Sequence, residues 1–230
     1  MTRYEVKTIV PESALARVRA ELRLLPAALR SIHPDRVVQS IYLDTPDNAA
    51  VEANLAGVSE RIKLRFRWYG SATDAATGRL ERKRRNNGIG TKRVRRLDEP
   101  LPLRGVARLR FMKELGRRLP AAELAELAQL EPVQWIRYRR AYLGAADGSV
   151  RVTLDSDLTA FDQRIGPRLQ CSVATPLPRI GILEIKADER KRAAVESFLQ
   201  GIGQRPGRCS KFVIASCPGE IRLATRWADE

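Results

Sequence analysis

Between Arg61 and Trp68 the sequence alternates without error, with Arg61, Lys63, Arg65 and Arg67 at one set of positions and Ile62, Leu64, Phe66 and Trp68 at the other. Side chains two apart in a strand share a face, so this period predicts one cationic and one apolar side. Arg presents a planar fork that meets two phosphate oxygens at once, and Lys a compact ammonium. Such a row suits an anion carrying many charges along a line. A single strand of this kind reads equally well as a solvated face. The alternation recurs, however, at Glu5 and Lys7, Glu81 and Lys83, Arg137 and Arg139, Arg151, Thr153 and Asp155, and Glu184 and Lys186. Charged stripes opposite apolar ones on several strands fit a barrel with a polar interior. Cations crowded on one face repel, which calls for an anionic ligand or interspersed carboxylates. Glu184 and Glu5 therefore have two readings: internal salt-bridge partners, or ligands of Mg²⁺ or Mn²⁺, which take one or two carboxylates together with phosphate oxygens.

The elements that must position these residues follow from periodicity. Strands are expected at 2–10, 37–44, 60–69, 133–143, 149–155 and 180–187, with a further pair near 159–173. A hairpin joins 79–85 to 91–96 around Asn87-Gly88-Ile89-Gly90. Helices are expected at 12–29, from Asn48 to about Ala56 with Gly57 closing it, over 106–130 with a break at Pro120, and at 190–201. The segment 209–216 fits a last strand or a helical turn. Short turns between strands and a few interposed helices give an α+β fold, an antiparallel barrel or strongly curved sheet with helices outside. No repeat or long linker divides the chain, so residues 1–220 read as one domain and 221–230 as a tail.

Lys and Arg number 42 against 27 Asp and Glu, a formal net charge of +15, which points to a polyanionic partner. Nucleic acid, an anionic membrane and phosphate chains all satisfy that charge. Aromatic residues make up only 6% of the chain and no helix carries a base-reading set, which argues against sequence-specific nucleic-acid recognition. Cys171, Cys209 and Cys217 are too few and too scattered for a disulfide framework or a Cys-based zinc site, and with no apolar run of membrane-spanning length they indicate a cytoplasmic protein. His33, the single histidine, sits beside Pro34 without a partner motif and reads as no catalytic base. Trp68 and Trp135 read as packing on the outside of the sheet. Within Arg82-Lys83-Arg84-Arg85, alternation turns only Lys83 and Arg85 inward.

Taken in order, Arg3-x-Glu5-x-Lys7, Tyr42-x-Asp44-Thr45, Lys63-Leu64-Arg65-Phe66-Arg67-Trp68-Tyr69-Gly70, Leu80-Glu81-Arg82-Lys83, Tyr138-Arg139-Arg140-Ala141-Tyr142, Arg151-Val152-Thr153-Leu154-Asp155, Leu183-Glu184-Ile185-Lys186 and Ser210-Lys211-Phe212 resemble the vacuolar transporter chaperone (VTC) domain. The resemblance implies a triphosphate tunnel of eight antiparallel strands and a polyphosphate polymerase that moves the γ-phosphate of ATP onto inorganic polyphosphate, assisted by Mn²⁺ or Mg²⁺. It implies substrate contacts from Lys7, Lys63, Arg65, Arg67, Lys83, Lys92, Arg139, Lys186, Ser210 and Lys211, with Lys83, Arg139 and Lys211 catalytic and Glu184, with Glu5, holding the metal. Arg208, where the family has a lysine, is implied as a further phosphate contact that keeps the charge and alters the geometry. The family often has a tyrosine two places before its arginine, whereas here Arg137 holds that place before Arg139 and Tyr138 is adjacent. Product export would need a membrane-protein partner. Tunnel triphosphatases carry a Glu-x-Glu-x-Lys strand, and Arg3 in place of the first glutamate weighs for transfer over hydrolysis. A tunnel triphosphatase and a non-catalytic polyphosphate binder are the alternatives.

Overall fold

The alternating segments form eight strands, β1 (Arg3–Pro11), β2 (Arg30–Asp44), β3 (Arg61–Tyr69), β4 (Ala75–Asn86), β5 (Ile89–Pro102), β6 (Glu131–Gly144), β7 (Val150–Asp162) and β8 (Ile180–Asp188). The computed structural model describes residues 3–24, 29–87, 89–207 and 209–219. Its strands make one sheet in the order β1-β8-β7-β6-β2-β3-β4-β5, with β1 and β5 as the terminal strands. The helices are α1 (Leu15–Leu24), α2 (Ala49–Leu55), α3 (Arg108–Gly116), α4 (Ala121–Leu127), α5 (Arg192–Gly201) and α6 (Lys211–Ser216). The fold is the expected α+β arrangement, although the ladder is open rather than a closed barrel among the described residues. None of the described helices is long and apolar enough to cross a membrane.

The chain clusters into two compact units. The first comprises Met1–Val37, Tyr138–Leu158 and Pro178–Ser210. In it Val6 and Val10 of β1, Val152 and Leu154 of β7, and Leu183 and Ile185 of β8 present one face to Val18 and Leu22 of α1 and Val195 and Leu199 of α5. Each helix contributes a pair four residues apart, the spacing that brings two side chains onto one stripe. The second unit comprises Val38–Arg137, Thr159–Leu177 and Lys211–Glu230. There Leu64, Phe66 and Trp68 of β3 are buried with Leu80, Leu97, Phe111, Leu115 and Trp135. Trp68 and Trp135 meet edge to face at 5.3 Å, and each indole finds an acceptor: Trp68 donates to the Ala72 carbonyl at 2.9 Å and Trp135 to Gln39 Oε1 at 3.0 Å. Both rings therefore lie in the apolar core, where their N–H groups are satisfied.

Two elements differ from expectation, and one open reading is decided. β2 begins at Arg30, well before Val37, and its first seven residues are exposed, so no burial alternation marks them in the sequence. Of the pair near 159–173 the first strand forms as the end of β7, which runs on to Asp162, while the second is reduced to an isolated bridge of Thr175 to Ala160; the loop between is folded by the buried Gln163, which donates to the carbonyls of Phe161 at 2.7 Å and Gln170 at 2.9 Å. Two side-chain amide bonds replace a strand ladder there. Residues 209–216 resolve as helix, from Lys211 to Ser216.

Close approach constrains Gly78, where the register of β4 against β5 shifts. A Cβ there would fall against the Arg67 carbonyl oxygen and 2.8 Å from ring atoms of Phe66, whereas one at Gly90 would meet nothing. Gly78→Ala should cost about 1–3 kcal/mol in denaturant unfolding and Gly90→Ala close to nothing; equal effects would show that the β3–β4 contact yields.

Candidate functional site

In the first unit antiparallel pairing sets Lys7 opposite Glu184 and Glu184 opposite Thr153, and in the next row Glu5 opposite Lys186 and Lys186 opposite Arg151. Residues directly opposite project from the same face. The side chains close a charge quartet. Lys7 Nζ lies 3.1 Å from Glu5 and 3.7 Å from Glu184, and Lys186 Nζ lies 2.9 Å from Glu184 and 3.6 Å from Glu5. Burial opposes ionisation of Glu184, but Lys7 and Lys186 outweigh it and hold the carboxyl at about 2. Burial likewise disfavours the Lys7 ammonium, and Glu184 and Glu5 overcome it, raising its pKa.

Beside the quartet, Arg140 grips the buried Asp155 with two hydrogen bonds, 2.6 and 2.7 Å, and lies 5.3 Å over the Tyr138 ring. Arg140, Arg151, Thr153, Glu184 and Lys186 line a cavity of about 270 Å³, which Ile32, His33 and Tyr142 complete. Thr153 Oγ1 is buried there without a hydrogen-bond partner among the described residues.

The second unit builds its cluster around Glu81, whose side chain is 3% exposed. Arg65 donates to one carboxylate oxygen through Nε at 2.9 Å and Nη2 at 2.7 Å, Lys92 reaches the other at 3.0 Å, and Arg67 approaches to 3.6 Å. Burial would raise the Glu81 pKa, yet Arg65 and Arg67 bring it from an ordinary 4.5 to about 2. Arg65 also donates to the Tyr42 hydroxyl at 2.7 Å, and Tyr42 stacks on Phe212 at 4.7 Å. Burial opposes ionisation of this phenol as well, but Arg65 and Arg67 lower its pKa to about 8. One residue pair away from Glu81, Lys63, Lys83 and Lys92 occupy a single cross-strand row on β3, β4 and β5. On the opposite face Arg82 binds Glu126 at 2.8 Å and Arg95 binds Glu123 at 2.7 Å, which fastens the hairpin to α4.

The structure thus gathers Glu5, Lys7, Glu184 and Lys186 in one unit and Lys63, Arg65, Arg67, Lys83 and Lys92 in the other. Arg139 is not among them. It is exposed and shares its strand parity with Ala141 and Leu143, which enter the apolar core, whereas Arg140 faces the cavity. The register correction is one residue, and it gives Tyr138-x-Arg140 the spacing that was missing around Arg139. Ser210 and Lys211 are half-buried where α6 begins, and the Gly207 N–H donates to the Lys7 carbonyl at 2.8 Å, tying the preceding segment to β1. Arg208 and the 221–230 tail lie outside the described residues. Sequence reading missed Asp155, Tyr42 and Glu81 as site groups; Glu81 and Asp155 were signalled only by their place in alternating stripes. The described residues hold no group of three or more His, Cys, Asp or Glu suited to a metal. Glu184 and Glu5, two hard oxygen donors already bridged by ammonium groups, fit a divalent ion only if phosphate oxygens complete its shell.

Because both Glu81 and Glu184 have folded pKa values below their unfolded ones, the stability they contribute is full above about pH 4.5 and is lost as pH falls toward about 2. Wild-type unfolding free energy should decline across that window, and Glu81→Gln should be less stable at pH 7 with a visibly flatter decline; an unchanged slope would remove Glu81 from the account.

A model of the VTC domain family matches residues 2–217. No curated protein sequence matches the chain. Among solved structures, a candidate adenylyl cyclase from Hippeastrum, described as having a dominant triphosphatase activity, is 16% identical with a TM-score of 0.56, covering 94% of this chain and 95% of its own. A candidate adenylate cyclase from Bacillus halodurans is 15% identical with a TM-score of 0.52, over 90% and 95% of the two chains. Another from Vibrio parahaemolyticus is 13% identical with a TM-score of 0.50, over 94% and 100%. These likenesses establish a shared triphosphate tunnel fold.

Proposed function

The chain belongs to the VTC domain family, and from that premise we propose that it transfers the γ-phosphoryl group of ATP to the end of an inorganic polyphosphate chain. The observation that supports this reading best is the lattice of cations and isolated carboxylates on the strand faces, Arg65, Arg67 and Lys92 around Glu81, and Lys7 and Lys186 around Glu184. Phosphoryl transfer asks a protein mainly for positioning and charge neutralisation, and these side chains are equipped for both.

In the proposed reaction a terminal oxygen of the acceptor chain attacks the γ-phosphorus. The bond from that phosphorus to the β–γ bridging oxygen breaks, and ADP departs with the electron pair. Arg65 and Arg67 take non-bridging oxygens through their guanidinium forks, while Lys63, Lys83 and Lys92 supply a row of point charges for successive phosphates. Lys7, Lys186 and Arg140 do the same in their own cluster. Glu184, with Glu5, would hold Mn²⁺ or Mg²⁺, and a bound ion would neutralise charge on the transferring and leaving groups. Arg3, in place of a first glutamate, leaves β1 one carboxylate poorer than a Glu-x-Glu-x-Lys strand, which favours transfer over activation of water.

Incubation of the purified protein with ATP and Mn²⁺ should yield ADP and long polyphosphate in matching amounts. Glu184→Gln should slow this roughly a hundredfold while the fold persists. Phosphate without polymer would mark a triphosphatase, the activity described for the Hippeastrum protein, and ATP left intact would mark a non-catalytic binder.

A further inference from the structure

The cavity of about 270 Å³ has two kinds of wall. Arg140, Arg151 and Lys186 are suited to phosphate oxygens. Ile32, His33 and Tyr142 add an apolar body and two ring faces, which phosphate oxygens leave unused even where the His33 N–H or the Tyr142 O–H donates to them. The His33 and Tyr142 rings meet edge to face, 5.5 Å between centroids at 84°, and the Arg36 guanidinium lies 5.8 Å from the Tyr142 centroid. A phosphate chain has no π surface or apolar body for such a wall to recognise; its oxygens seek cations and N–H or O–H donors. A purine or pyrimidine is recognised by aromatic side chains, a sequence-tolerant contact because every base has a π face.

We propose that His33, Tyr142 and Ile32 form a nucleobase platform, which lets this cavity distinguish a nucleoside triphosphate from a bare phosphate chain. The inference rests on the phosphate-handling reading above and adds to it the part of the substrate that bears no charge. In this arrangement the base lies against the His33–Tyr142 pair and its phosphates run toward Arg140 and Lys186. Thr153 Oγ1, buried on the same lining with no partner among the described residues, is left to bond a ribose or phosphate oxygen. The platform draws two members from the exposed first stretch of β2, so it is built by the part of that strand the burial pattern concealed.

Titration calorimetry with ATP and with inorganic tripolyphosphate, at one salt concentration, separates the possibilities. Tyr142→Ala should weaken ATP at least about fivefold, the lower end of base stacking on one aromatic ring, and change tripolyphosphate less than about twofold. Tyr142→Phe keeps the ring and should retain ATP affinity. His33→Ala, at an exposed position, should also weaken ATP selectively and carries the comparison if Tyr142→Ala does not fold. Equal losses for both ligands, or no loss for either, would overturn the platform while leaving the phosphate reading intact. A wild-type protein that binds neither ligand would overturn the phosphate reading and the platform with it.

Discussion

Like charges brought together on a partly dehydrated face are the constraint on which this structure turns. Two cations 4 Å apart at an effective dielectric near 20 repel by about 4 kcal/mol, and the cross-strand rows place Arg and Lys beside one another repeatedly. Glu81 and Glu184 answer that repulsion from within. Each is surrounded by cations, and each stays ionised far below the ordinary carboxylate range because those cations outweigh the cost of its burial. Ion pairs of this kind return little net stability, since desolvation consumes most of what attraction provides. The stability comes instead from the opposite strand faces, where Phe66, Trp68, Trp135 and Phe111 in one unit and Val10, Val18, Leu22 and Leu183 in the other are almost wholly out of water.

That division of labour connects fold to chemistry. The period of two assigns one face of each strand to cohesion and the other to charge, so the site can hold an excess of cations without weakening the apolar packing. The internal carboxylates neutralise only part of that excess, and under the proposed function the phosphates of a ligand supply the remainder. Arg65 shows the arrangement in one residue: two of its nitrogens meet Glu81 and a third meets the Tyr42 hydroxyl, so its guanidinium is oriented before any phosphate arrives.

How far the sequence disclosed this depended on burial contrast. β3 was legible because every second residue from Ile62 to Trp68 is apolar and the others are cationic. The first stretch of β2 was not, because exposed residues on both faces leave no period to read. Tyr138-Arg139-Arg140 offered two adjacent arginines, and only the burial of Ala141 and Leu143 behind Arg139 decides that Arg140 faces the cavity. The pairing of Arg140 with Asp155 and of Arg65 with Tyr42 depends on strand neighbours far apart in the chain, which no local pattern encodes. The loop after β7 was misread because Gln163, a polar residue, does the organising that apolar residues do elsewhere.

Thermal unfolding in tripolyphosphate, beside sodium chloride at matched ionic strength, tests most directly whether the cationic faces are built to receive phosphate. A ligand that binds only the folded chain raises its melting temperature in proportion to the logarithm of its concentration above the dissociation constant. The account predicts a rise of several degrees with tripolyphosphate and almost none with chloride. Equal responses to the two salts would mean that the cations only need screening, and would contradict it.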